Sequence, residues 1–241
     1  MTFLQGIAFV YRQSWAFLLA CPLIALIPIL AELVQHVVEM QAGMYVGPAG
    51  AEAAEADPAR MAFGFVKTLA LGLIGYWGVR FYATRDAAYT RRLEGRAVAL
   101  FAVVFALQAL LSALGLFVFT GVMAAGFFVF SLIFAPLLAR FVVAAPLGVW
   151  ISPSASIRQM ARQLPWAVAF NVVAALPLMI VHYALGIGAI FVPGEAVKWA
   201  MLIVDSLVVG WLAAVLVAIT WVVAVRRNPP PGLIPKATLR A

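Results

Sequence analysis

The chain alternates between apolar runs of about twenty or more residues and short polar stretches. Such runs predict membrane-spanning helices, because about twenty residues at 1.5 Å each cross a hydrocarbon core of roughly 30 Å. Six fall at 15–34, 61–81, 97–119, 126–150, 165–186 and 199–225. Two amphipathic segments, 2–12 and 153–163, have narrow apolar stripes and predict short helices lying at the membrane surface. Ser152 before Pro153 suits an N-cap followed by proline at the first helical position. Segment 35–60 contains Glu39, Glu52, Glu55 and Asp57 among Gly and Pro residues, which predicts a flexible loop. The proline run after Arg227 predicts a disordered tail over 228–241. The fold class is therefore all-α, a polytopic transmembrane bundle forming one integral membrane domain over 1–241.

Two places in this pattern are ambiguous. Pro22 and Pro28 remove backbone donors from the first run and predict kinks there. Arg140 interrupts the fourth run. Either one long tilted helix carries it towards the headgroups, or the helix ends near Arg140 and 141–150 lies along the membrane. Snorkelling of the arginine favours the first.

The charges orient the pattern. Between the second and third runs lie Arg80, Arg85, Arg91, Arg92 and Arg96, against Asp86 and Glu94. Lys and Arg stay cytoplasmic in membrane proteins, so this loop faces inward. With six spans, both termini are then cytoplasmic. Arg12, the loop arginines, Arg158, Arg162, Arg226, Arg227, Lys236 and Arg240 make twelve of the sixteen cations, all on that side. Their primary role is orientation, with contact to anionic lipid as a by-product; Arg140 belongs with them. The segments assigned outside hold Glu39, Glu52, Glu55, Asp57 and Glu195 against Arg60 and Lys198.

Composition adds the exclusions. Two thirds of the residues are apolar and 10% are charged, too few polar groups to cover a soluble domain. The net charge of +7 sits in short loops, which argues against nucleic acid. The one cysteine, Cys21, excludes an intrachain disulfide and a cysteine metal cluster. Leu18 to Cys21 resembles a lipoprotein cleavage box, but the apolar run continues past it, so the segment reads as a retained span. The location these features predict is the bacterial inner membrane, with the anionic lipid of its cytoplasmic face and other membrane proteins as candidate partners.

Glu32, Lys67, His182 and Asp205 lie in the outer halves of their spans, where ionisable groups are costly and are functional candidates. Cys21, Ala25, Pro28 and Glu32 share one face of the first span, as do Gln108, Ser112 and Gly115 on the third. One reading is helix packing through polar contacts. The other is an outward-facing polar cavity in which two acids, a lysine and a histidine bind an ion or relay a proton. His36 and His182 are the only histidines; a haem between them would need matched depths, and His36 falls at or beyond the end of its span. No hydrolase, nucleotide or metal-binding spacing occurs, so no cofactor, no metal and no catalytic residue is assigned, and the balance leans away from an enzyme.

RQSWAF before the first span and RQLPWAVAF before the fifth suggest that the first and last hairpins form a parallel repeat. The six spans, the Pro-bearing helices and the stretch SPSASIRQMARQLPW together resemble the YciC-like inner-membrane family and the membrane domain attached to some glycerophosphodiester phosphodiesterases. That resemblance implies the span pattern and carries no site residue. The functional expectation is a non-enzymatic membrane scaffold or accessory protein. A small transporter or channel subunit using the outer polar set is the alternative, and an intramembrane lipid-active enzyme the third reading. The topology predicts that a reporter active only outside the cytoplasm is silent when fused to the C-terminus; activity there contradicts it.

Overall fold

The computed structural model describes residues 1–227 together with Pro229 and Leu233. All regular structure among them is helical: α1 (Phe3–Ala20), α2 (Pro22–Gln41), α3 (Pro48–Ala54), α4 (Pro58–Leu73), α5 (Gly75–Thr84), α6 (Ala87–Arg91), α7 (Gly95–Ala113), α8 (Gly121–Leu137), α9 (Ala139–Ala144), α10 (Pro153–Met160), α11 (Leu164–Phe191) and α12 (Glu195–Val225). Five stretches are long and apolar enough to cross a membrane: Pro22–Gln41, Pro58–Thr84, Gly95–Val118, Pro153–Phe191 and Glu195–Val225. A bent pair, Gly121–Leu137 with Ala139–Leu147, makes a sixth if counted as one. The expected tail at 228–241, with Lys236 and Arg240, lies outside the described residues apart from Pro229 and Leu233, and Leu233 is buried in the main core.

The bundle is built round α12. It is the most buried of the long helices, although Ile203, Val204, Leu207 and Leu216 stay exposed. It packs against α1, α2, α5, α9 and α11. Small residues permit the close approach: a Cβ on Gly210 would sit 2.3 Å from Ile29 Cγ1 of α2. By contrast α8 buries only Pro136 and leaves Val122, Phe128, Val129 and Ile133 exposed. An apolar face of that kind suits lipid.

The helix boundaries differ from the sequence pattern in four places. The first run breaks at Cys21 (φ −133°, ψ 56°), because the Pro22 ring disfavours helical geometry in the residue before it. Residues 3–20 therefore form one helix packed on α12, not a short surface helix followed by a span. Pro28 and Pro177 stay inside continuous helices. The second run has a one-residue break at Ile74. Segment 35–60 is ordered: α2 continues to Gln41, a 3₁₀ turn spans Met44–Val46, and α3 follows.

The fourth run resolves against the single tilted helix. The chain bends by 56° between α8 and α9, just before Arg140. Pro136 cannot donate to the preceding turn, and Ser156 of α10 meets groups freed at the bend. Its hydroxyl donates to Leu137 O at 2.7 Å and accepts from Phe141 N at 3.3 Å. Residues 141–145 are then buried except Val142, rather than spread along a surface. Ser152 does cap α10, accepting from Ala155 N at 3.2 Å.

Arg80 also differs from its neighbours. Arg85, Arg91, Arg92 and Arg96 are exposed, but Arg80 has no exposed surface. It donates to Pro146 O at 3.0 Å and Glu94 Oε1 at 2.9 Å, and lies 4.0 Å from the Tyr89 ring centroid. It is thus an internal tie for the 80–96 segment and does not contact headgroups. The Arg80 hydrogen bond holds the Glu94 carboxyl below its ordinary value. A depressed carboxyl stabilises the fold above its unfolded value, about 4.5, and that contribution disappears as pH falls through the folded value. Glu94 is half exposed, so the pair contributes about 1 kcal/mol or less. Glu94→Gln should lower the melting temperature slightly at pH 7, and the loss should shrink as pH falls below about 4.5; a loss that does not change with pH would exclude the ion pair as the cause.

Candidate functional site

One face of α2 continues its buried stripe into the polar residues Glu32, Gln35, His36 and Glu39, spaced to share a side of the helix. They meet Asp205 of α12, His182 of α11, Lys67 and Arg60 of α4, and Tyr45 of the 3₁₀ turn. Asp205 is the hinge of the arrangement. It has no exposed surface and lies 2.8 Å from His182 Nδ1 and 3.1 Å from His36 Nε2. His36 Nδ1 lies 3.1 Å from Glu39 Oε2, which also accepts from the Tyr45 hydroxyl at 2.7 Å. Glu32, 1% exposed, faces Lys67 Nζ at 3.1 Å and His36 Nε2 at 3.5 Å. Arg60 Nε lies 3.5 Å from Glu39 Oε1.

Three carboxylates face the cations Arg60 and Lys67, and His36 presents both ring nitrogens to carboxylates, which requires the imidazolium, so the cluster holds three charges of each sign. Glu32 Oε2 is buried without a hydrogen bond and has only its ion-pair neighbour. One ligand atom from each of Glu32, His182 and Asp205 lies within 4.8 Å of the other two. An imidazole and two carboxylates form a donor set for a first-row divalent cation. The approach is open on one side, since Lys67 and His182 keep 23% and 19% of their side chains exposed. A second cavity of about 190 Å³ lies beyond Tyr45, lined with Met40, Val46, Glu195 and Lys198. Lys198 donates to Tyr45 O and fixes that turn. Burial, then the Glu39 carboxylate, pushes the Tyr45 hydroxyl above the usual phenol range, so it remains a donor to Glu39.

Glu32, Lys67, His182 and Asp205, singled out by sequence on four separate helices, are brought together here. His36, Gln35, Glu39, Tyr45 and Arg60 were not assigned to this set. His36 lies within α2 rather than past its end, and both histidines address one carboxylate, which leaves no room for a haem plane with the rings as opposed axial ligands. A donor set drawn from three helices, as Glu32, His182 and Asp205 are, leaves no local motif in the sequence. The signal available was the spacing 32, 35, 36, 39, which continues the stripe from Cys21 through Ala25 and Pro28.

The arginine-rich end holds the other expected residues. Arg226 lies 3.7 Å from the Trp166 ring centroid. Arg140 is buried and donates to Ala224 O at 3.1 Å, to Gln159 Oε1 at 2.8 Å and to Arg227 O. Arg158, Arg162 and Arg227 are exposed around it. The two sequence echoes occupy different settings, since residues 12–17 lie within α1 and 162–170 cross from a 3₁₀ turn into α11.

No known protein family, curated protein or solved structure matches this chain.

Asp205→Ala strips both imidazoles of a shared acceptor in a buried site and should cost about 2–4 kcal/mol of stability. His182→Ala should cost about 1 kcal/mol, because water reaches its position. Thermal unfolding in mild detergent gives the order; equal losses would show that Asp205 is not the hinge.

Proposed function

We propose that the chain is a multi-pass protein of the bacterial inner membrane, with both termini cytoplasmic, and that the acid–histidine cluster is the cation station of a small transporter or transport subunit. The observation that carries the reading is the buried Asp205 carboxylate shared by both histidines, beside a Glu32 oxygen without a hydrogen bond. Charged groups in apolar helical bundles are expensive and mark ion pathways. The long apolar helices and the positive charge at one end support the membrane placement.

The cluster supplies its own exchange mechanism. Lys67 holds Glu32 when no metal is bound, and its ammonium reaches the surface. Glu32, His182 and Asp205 would hold a divalent cation entering on that side, with Lys67 moving off Glu32 and the proton that His182 shows to Asp205 shifting to its other ring nitrogen. His36, held through Nδ1 by Glu39 and Tyr45, orients the Asp205 carboxylate for the metal. Departure of the cation lets Lys67 return, so neither state leaves Glu32 unpaired.

Zinc titrated into chelator-stripped protein should bind at one ion per chain, and Asp205→Asn should weaken it about tenfold or more. Lys67→Ala should lose stability in chelator, regain it with zinc, and bind zinc more tightly than the native chain. Proteoliposomes should take up zinc with the native chain and not with Asp205→Asn. Absence of stoichiometric binding, with folding intact, would favour the scaffold reading in which the polar groups only pack helices.

A further inference from the structure

The arginine-rich end has a different electrostatic problem. Arg140 is 5% exposed, and no carboxylate lies within ion-pair distance of it among the described residues. Its guanidinium is fixed by two backbone carbonyls and Gln159, which leaves hydrogens of the fork unused. It opens on a cavity of about 370 Å³ lined by Arg140, Arg158, Gln159, Arg162, Gln163 and Arg227. Four guanidiniums thus surround one space with no acid on its wall. Gln163 is 5% exposed, and its amide oxygen is buried without a hydrogen bond.

Guanidinium clusters of this kind match phosphate oxygens, which accept paired hydrogen bonds from the planar fork. Simple attraction of headgroups to a basic surface does not require a buried, pre-set arginine. The neighbouring surface indicates where the phosphate comes from. Ala139 and Phe141, on either side of Arg140, line a largely apolar cavity of about 150 Å³ with Val104, Phe130 and Phe134, and Gln108, Ser131, Asn171 and Thr220 also reach its wall. A charged cavity and a largely apolar one therefore lie on two sides of α9. That pairing fits a molecule with a phosphate and a hydrocarbon chain. The unpaired Gln163 oxygen is an acceptor that a headgroup hydroxyl would satisfy.

We infer that this cavity is a built site for one anionic phospholipid, its phosphodiester held by Arg140, Arg158, Arg162 and Arg227 and an acyl chain lying in the apolar groove on the other side of α9. The inference rests on the membrane reading proposed above but not on the metal station, and the two stand or fall separately. The site differs from the exposed arginines of 80–96, which attract headgroups without enclosing one.

Native mass spectrometry of the full chain, reconstituted with phosphatidylglycerol and phosphatidylcholine and then extracted in mild detergent, tests it. The native chain should retain one phosphatidylglycerol and no phosphatidylcholine. Arg158→Gln with Arg162→Gln, both exposed positions, should lower retention about tenfold or more without loss of folding. Arg85→Gln with Arg91→Gln and Arg92→Gln removes more charge from the same end and should leave retention unchanged. Equal losses in the two variants would reduce the site to general headgroup attraction and overturn the inference. So would unchanged retention in the Arg158/Arg162 variant. Release of the lipid by millimolar inorganic phosphate, with equal thermal stabilisation by phosphate alone, would assign the cavity to a soluble phosphoanion and overturn the lipid assignment. Loss of both lipids from the native chain, if reporter fusions also contradict the topology, would locate the failure in the membrane reading.

Discussion

A carboxylate with no exposed surface cannot draw on water for its hydrogen bonds, so the protein must supply them. Asp205 is in that position on the most buried helix of the bundle. Its partners come from α2 and α11, and those helices pack closely against α12. His36 passes the constraint on to Glu39 and Tyr45, which orders the turn after α2. Glu32 passes it to Lys67 and so to α4. A single buried charge thereby fixes the relative placement of four helices, in surroundings where apolar packing alone distinguishes one arrangement poorly from another.

The two ends of the molecule bury charge of different kinds. The acid–histidine end gathers three carboxylates round Arg60, Lys67 and the two imidazoles. The other end gathers four arginines round a cavity with no acid on its wall. Arg80, buried beside Pro146, shows another arrangement: a carboxylate, two carbonyls and two rings surround its guanidinium, although its Nε makes no hydrogen bond.

How far the sequence speaks can be judged from particular residues. The stripe Cys21, Ala25, Pro28, Glu32 is the buried face of α2, because helical periodicity is a backbone property that survives any tertiary arrangement. Its continuation through His36 and Glu39 was hidden by composition, since a polar segment rich in acids looks like a loop whether it is solvated or buried round its own cations. Prolines were ambiguous for a related reason. Pro28 and Pro177 sit in unbroken helices while Pro136 precedes a bend, and the difference lies in Ser156, nineteen residues from Leu137, meeting the freed carbonyl. The five arginines of 80–96 have the same charge in sequence, and only packing tells that Arg80 is the internal one. The candidate site was half legible: depth marked four residues, and the helix crossings supplied the other members.

Whether Glu32, His182 and Asp205 close round one divalent cation is decided by X-ray absorption at the zinc edge, on chelator-stripped protein reloaded with one equivalent. A closed site gives a first shell of nitrogen and oxygen only, at about 2.0–2.1 Å, with the outer-shell scattering of an imidazole that disappears in His182→Ala. A shell of water oxygens alone, or an imidazole signal unchanged by His182→Ala, would contradict it.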